Sequence, residues 1–263
     1  MLIKLLKYDL KYMIKNMLVF YILSIVFAIT TRILFEVKDT IILNIMYNIS
    51  LGCMFSMLAS TFINTLMRSW VRFRDSLYKD ESYLTHTLPV TKNNIYDSKF
   101  LLTLIFGIVG FIVIILSLFI VYYSKDNWLA LKDLFSKIAS GFNFSVSFGV
   151  ISFILVMFLE VFNALQCGYF GIILGHKQNN NKIGLSVLFG FIMYMISQTI
   201  VLIALFMVGI FNTDIKALFN NNVLLSSSTF KLLVIVSVII YLVLIIVMNL
   251  ICKKILNKGV NVE

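Results

Sequence analysis

One ionisable residue, Glu160, falls deep inside a long apolar stretch, a setting in which charged side chains are costly and often functional. Asn163 and Gln166 follow it three and six residues later, so the three polar side chains form a stripe on a helix. Such a stripe can line the path of a transported molecule, hydrogen-bond to a neighbouring helix or relay protons. A proton relay generally uses several ionisable groups, and these apolar stretches offer one. We therefore predict a cargo path or helix packing for Glu160, Asn163 and Gln166.

Residues that usually build an active site are sparse. The two histidines, His86 and His176, fall in predicted loops, and the three cysteines each lie in an apolar run without a Cys-x-x-Cys pair. The sequence contains no His-Glu-x-x-His zinc motif, no phosphate-binding loop and no Gly-x-Ser-x-Gly turn. We therefore predict no catalytic, metal-binding or cofactor-binding residue in this chain, and no enzymatic activity of the chain by itself.

The composition indicates what surrounds the chain. Of its 263 residues, 60% are hydrophobic and 13% are charged, whereas soluble domains average roughly 45–50% and about 25%. The net charge of +10 is spread over segment ends rather than gathered on one basic face, which argues against nucleic acid as a partner. The apolar runs do not alternate every second residue, which argues against a barrel. The sequence predicts an all-α polytopic protein with the lipid bilayer as its surroundings.

Six apolar stretches exceed the about 20 residues that a helix needs to cross a bilayer. They cover about residues 17–35, 41–67, 100–123, 143–175, 184–210 and 230–252. Fifteen of the 22 lysines and arginines fall on the side that holds both termini, and seven fall on the other, so both termini are predicted to be cytoplasmic. Gly171 and Gly175 form a Gly-x-x-x-Gly pair, which predicts a close helix contact.

Residues 1–16 carry four lysines at helical spacing, from Lys4 to Lys15, beside a stripe of apolar residues. This pattern predicts an amphipathic helix on the cytoplasmic surface of the membrane. The alternative is a basic flank that only orients the first span.

Residues 68–99 form a polar island between the second and third spans, and the island holds the only proline, Pro89. Ser82 can cap a short helix, Pro89 interrupts it, and Thr91 can cap the helix that leads into the third span. The island is therefore predicted to be a cytoplasmic loop built around one short helix.

The loop sequence Glu-Ser-Tyr-Leu-Thr-His-Thr-Leu-Pro-Val-Thr-Lys, residues 81–92, is followed by the pair Ser98-Lys99. It resembles the cytoplasmic loop of permease subunits of type-2 ATP-binding-cassette exporters from low-GC Gram-positive bacteria. That loop typically reads tyrosine-leucine, threonine, leucine-proline-valine-serine. The six-span layout and the cytoplasmic first helix agree with this family, while His86 stands where a hydrophobic or small residue is expected.

The resemblance implies a multi-pass protein of the bacterial cell membrane that exports a lipophilic or peptidic cargo, such as an antimicrobial peptide or a drug. Two permease chains, identical or different, would form the pore, and separate ATPase subunits would bind ATP and magnesium. The loop between spans 2 and 3 would be the coupling helix that touches the ATPase, with the residues Glu81, Ser82, Tyr83, Leu84, Thr85, His86, Thr87, Leu88 and Pro89. The main alternative is an ion-coupled secondary transporter or a channel, which would predict several charged or broken spans. A membrane-embedded enzyme and a non-transporting scaffold or sensor are further alternatives.

Overall fold

The long apolar runs become helices, because a helix satisfies every backbone polar group within one segment. The computed structural model describes residues 2–79, 81–141, 145–211 and 227–259, which form eight helices and no strand. These are α1 (Leu2–Glu36), α2 (Ile41–Tyr78), α3 (Ser82–Thr87), α4 (Lys92–Tyr122), α5 (Lys125–Gly141), α6 (Val146–Gly175), α7 (Lys182–Phe211) and α8 (Ser227–Asn257). All except α3 and α5 are long and apolar enough to cross a membrane, which confirms the prediction of six such helices.

The first helix differs from its predicted boundary. The sequence predicts a separate helix over residues 1–16 and a span from residue 17, but α1 runs without interruption from Leu2 to Glu36. The reason lies in packing, since Met13 and Met17 are buried together with Leu102 and Phe106 of α4. The amino-terminal third of α1 is therefore part of a helix bundle.

Two further helices extend beyond their predicted spans. α2 continues eleven residues past residue 67, and α4 begins eight residues before residue 100. At 1.5 Å per residue the 38 residues of α2 measure about 57 Å, well beyond a hydrocarbon core of about 30 Å. The polar island thus consists mostly of continuations of α2 and α4, with α3 between them.

Side-chain caps account for several helix starts. The hydroxyl of Thr91 accepts a hydrogen bond from the backbone N–H of Asn94, which confirms the predicted cap of α4. Thr40 and Ser145 cap α2 and α6 in the same way. The predicted cap at Ser82 is wrong, because Ser82 is the first helical residue of α3 and is buried, while Glu81 holds the cap position without a side-chain cap bond.

The chain divides into two compact units, Met1–Trp128 and Leu129–Asn261, and the division falls within the continuous helix α5. In the first unit α1, α2 and α4 pack against one another around Ala28, Met54, Leu58 and Val121. In the second unit α6 packs against α7 and α8, with Val201, Tyr241 and Leu244 in a buried cluster.

Small polar residues join the helices of the first unit. The hydroxyls of Ser24 and Thr61 lie 2.9 Å apart, and those of Thr31 and Ser50 lie 2.8 Å apart. Hydrogen bonds of this kind between helices stabilise bundles in membranes, where hydrophobic contact alone favours association little.

Glycines set the distance between α6 and α7. A Cβ atom at Gly171 would meet the backbone of Ser186 and Gly190, and a Cβ atom at Gly175 would meet Ser186. The predicted Gly-x-x-x-Gly pair is therefore the point at which the two helix backbones touch.

Candidate functional site

A buried group of charges joins three helices of the first unit. Asp9 of α1 is only 2% exposed, and its Oδ1 accepts a hydrogen bond of 2.8 Å from Nε of Arg72 in α2. Lys99 of α4, which is 4% exposed, donates from Nζ to both Asp9 carboxylate oxygens at 2.6 and 2.7 Å. One carboxylate therefore holds α1, α2 and α4 together.

A second carboxylate completes this charge cluster, which we define as Asp9, Arg72, Lys99 and Glu81. Nη1 of Arg72 donates to Oε2 of Glu81 at 2.6 Å, and the Glu81 side chain is about half exposed. The two cations are thus matched by two carboxylates, which matters because a buried charge without a partner is strongly destabilising. The guanidinium of Arg72 also lies over the ring of Tyr12, 4.5 Å from its centre, in a cation–π contact.

The charge cluster holds α3 at one end, and a hydrogen bond holds it at the other. Glu81 immediately precedes α3, and its bond to Arg72 fixes the start of this six-residue helix to α2. Nε2 of His86 lies 3.1 Å from the carbonyl oxygen of Leu77, a geometry in which the ring nitrogen donates. Ser82 is fully buried between these attachments. A helix this short is marginal in isolation, so its position depends on these contacts.

The opposite side of α3 presents apolar side chains outward. Tyr83 is 67% exposed and Leu84 is 74% exposed, and Leu88, just after the helix, is also exposed. Thr85 and Thr87 each donate a hydroxyl hydrogen bond to a carbonyl within this segment, of Glu81 and Leu84 respectively. The exposed residues of this segment, apart from Glu81, are Tyr83, Leu84, Thr87, Leu88 and Pro89. Glu81 and His86 contact α2, and Ser82 is buried. This surface can bind an apolar pocket of another molecule.

The predicted stripe of Glu160, Asn163 and Gln166 lies on α6 in the second unit. Nδ2 of Asn163 donates to the hydroxyl of Ser197 in α7 at 2.8 Å, and both residues are fully buried. The hydroxyl of Tyr194 lies 3.5 Å from Oε1 of Glu160, at the outer limit of a hydrogen bond. Asn163 therefore packs α6 against α7, and Glu160 faces the same helix.

Gln166 differs from its neighbours in the stripe. It is 1% exposed, and neither polar atom of its side chain has a hydrogen-bond partner among the described residues. An amide buried in this way costs free energy unless something pairs with it.

Asp9, Arg72 and Lys99 were not predicted from the sequence to form a site. One signal was available, because Asp9 is the only acidic residue before Glu36 and stands among four lysines. Its partners are 63 and 90 residues away along the chain, and no spacing rule joins positions so distant.

Comparison with known proteins finds no matching family model, no matching curated protein and no matching solved structure. The class of the protein follows from its own helices. It is an all-helical protein whose described residues include six long apolar helices suited to crossing a membrane, as in a multi-pass membrane protein.

Proposed function

We propose that the chain is the membrane-spanning permease subunit of an ATP-driven exporter, with a separate ATPase subunit bound at α3. The observation that carries the proposal is α3 itself, a short helix fixed to α2 by Glu81 and His86 while Tyr83 and Leu84 face outward. The resemblance of residues 81–92 to the coupling loop of such exporters supports the same assignment.

The arrangement suits the transfer of force. Protein interfaces depend on a few buried aromatic or apolar anchors, and Tyr83 and Leu84 are side chains of this type. An ATPase that moves α3 would also move α2 through Glu81, and α1 and α4 through Asp9. In this proposal a second permease chain completes the pore, ATP and magnesium bind to the ATPase, and the cargo is lipophilic or peptidic.

Affinity purification from native membranes in a mild detergent tests the proposal. The tagged chain is expected to recover a protein with a phosphate-binding loop, whereas the double variant Tyr83→Asp, Leu84→Asp is expected to lose it at equal expression. The matched control is Leu129→Asp, because Leu129 is an exposed leucine outside α3. Recovery of no such ATPase, or equal recovery by all three proteins, would contradict the proposal.

A second candidate function is ion-coupled transport, which the Glu160 carboxylate beside Tyr194 favours. In that case the variant Glu160→Gln would abolish transport as fully as Glu160→Leu does. A permease that uses Glu160 for packing or cargo contact would retain part of its transport with glutamine, which preserves size and hydrogen bonding.

A further inference from the structure

Helix α5 places most of its apolar and most of its polar residues on different sides, although Leu129 lies on the polar side and Asn127 on the apolar side. Trp128, Leu131, Leu134 and Phe135 recur at helical spacing, and we call them the apolar arc. The opposite side carries the polar arc, which consists of Lys125, Asp126, Lys132, Asp133, Ser136 and Lys137. All four side chains of the apolar arc are exposed. Among the described residues no helix packs extensively on α5.

The polar arc carries both signs of charge. Nζ of Lys137 lies 2.9 Å from Oδ2 of Asp133, one helical turn away. This hydrogen bond and the attraction of the Asp133 carboxylate raise the pKa of Lys137. Three lysines and two aspartates make the arc a well-hydrated surface with a small excess of positive charge.

The connections of α5 along the chain restrict where it can lie. α4 ends at Tyr122 and α5 begins at Lys125, so two residues separate α5 from a candidate membrane span. α6, another candidate span, begins at Val146, five residues after α5 ends. A helix tied this closely to two spans is kept near a membrane surface.

The aromatic residues point to the headgroup region in particular. Tyr122 and Tyr123 stand at the junction of α4 and α5, and Trp128 begins the apolar arc. Tyrosine and tryptophan are enriched at membrane–water interfaces, where one part of the ring system is apolar and another is hydrated. Lysines on the opposite side are typical of helices that lie in the interface plane.

We propose that α5 is an interfacial helix that lies in the headgroup region of the same bilayer that α4 and α6 cross, with its apolar arc toward the acyl chains. The partner of this surface is the lipid of that bilayer. The proposal does not depend on the permease assignment, because it uses only α5 and its neighbours along the chain.

Tryptophan fluorescence tests the proposal, because the chain has only two tryptophans, Trp70 and Trp128. The Trp70→Phe variant, reconstituted in phosphatidylcholine–phosphatidylglycerol vesicles, reports on α5 alone. We expect lipids brominated near the headgroup to quench Trp128 several-fold more than lipids brominated at the end of the acyl chain. Acrylamide is a quencher that stays in water. We expect it to quench Trp128 several-fold less in the reconstituted protein than in the unfolded protein. If Trp70→Phe folds poorly, the difference between the natural chain and Trp128→Phe gives the same signal.

The same kind of substitution, an exposed apolar residue to aspartate, on the two sides of α5 provides the matched comparison. Leu131→Asp or Phe135→Asp is expected to raise acrylamide quenching of Trp128, while Leu129→Asp on the polar side leaves it unchanged. Full acrylamide access in the unsubstituted chain would place α5 in water and overturn the proposal. Protection of Trp128 from acrylamide and from the brominated lipids alike would overturn the proposal too. The apolar arc would then be covered by protein, either a second copy of the chain or another partner.

Discussion

At the scale of single residues, Asp9 is the side chain on which the charge cluster depends, because both Arg72 and Lys99 donate to it. The variant Asp9→Asn removes the carboxylate charge to which both buried cations, Arg72 and Lys99, donate. Removal of one partner from a buried pair costs about 3–5 kcal/mol, so we expect a loss of that size in the free energy of unfolding. Equilibrium unfolding in mixed micelles measures it.

Two further variants show whether the lost stability comes from the buried charge cluster. Asp133→Asn removes an exposed carboxylate from a pair with Lys137 and is expected to cost far less stability than Asp9→Asn, because water screens exposed pairs. Adding Lys99→Met to Asp9→Asn removes one of the two buried cations that donate to Asp9 and should restore part of the lost stability. If Asp9→Asn were as mild as Asp133→Asn, the charge cluster would not hold the three helices.

Gln166 gives a second prediction at this scale. Because its buried amide has no partner among the described residues, Gln166→Leu removes a desolvated polar group at similar volume. We expect the melting temperature to stay the same or rise. If Gln166 contacts cargo, transport falls in the same variant. A clear loss of stability would show that the amide is hydrogen-bonded in the membrane.

The residues of the two sites differ in how far the sequence could reveal them. Glu160, Asn163 and Gln166 could be singled out because polar side chains stand out in an apolar run. Asn163 donates a hydrogen bond to Ser197 of α7, and the role of the stripe stays a prediction. Asp9 was not visible as a site, because its role comes from tertiary contacts with α2 and α4.

At the scale of elements, the attachments of α3 yield a prediction that needs no partner protein. Glu81→Gln combined with His86→Ala weakens both attachments and leaves Tyr83 and Leu84 unchanged. Because local opening is governed by such contacts, we expect faster hydrogen exchange across residues 82–88. The variant Tyr83→Asp, Leu84→Asp should leave exchange nearly unchanged, since both side chains are exposed. Equal exchange in all three proteins would mean that Glu81 and His86 do not fix α3.

The close contact between α6 and α7 yields a second prediction at the scale of elements. In Gly171→Ala the new Cβ meets the backbone of Ser186 and Gly190, which cannot move aside as a side chain would. Overpacking of this kind typically costs about 1–3 kcal/mol, measured as free energy of unfolding. Gly107→Ala in α4 is the control, because nothing lies within 4 Å of its added Cβ. Equal stability of the two variants would argue against the close helix contact.

The helices that could be predicted are those whose sequence signal lies within the helix itself. The six apolar helices and the cap at Thr91 follow from runs and caps in the sequence. The continuity of α1 did not follow, because the lysine spacing suggested a surface helix while Met13 and Met17 are in fact buried against α4. No element was predicted for α5, since its mixture of lysines, aspartates and leucines lacks the long apolar run that reveals a span.

At the scale of the whole molecule, the distribution of lysine and arginine predicts which side of the membrane each polar segment occupies. In a background with Cys53, Cys167 and Cys252 replaced by alanine, Leu5→Cys and Thr85→Cys should be shielded from an impermeant maleimide in intact cells. Ser136→Cys on the polar arc should react. All three cysteine variants should react after the cells are opened, which shows that each cysteine is reactive once the reagent can reach it. Labelling of Thr85→Cys from outside would contradict the predicted topology and remove α3 from the reach of a cytoplasmic ATPase.

The order in which the charge cluster leaves the ribosome has a consequence for biogenesis. Asp9 is synthesised first, Arg72 follows 63 residues later, and Lys99 follows 90 residues after Asp9. Until α4 has been made, the Asp9 carboxylate lacks one of its two cations and is better solvated in water. We therefore expect the amino-terminal turns of α1 to reach their final packing only after Lys99 has been synthesised, because only then can both cations bind Asp9.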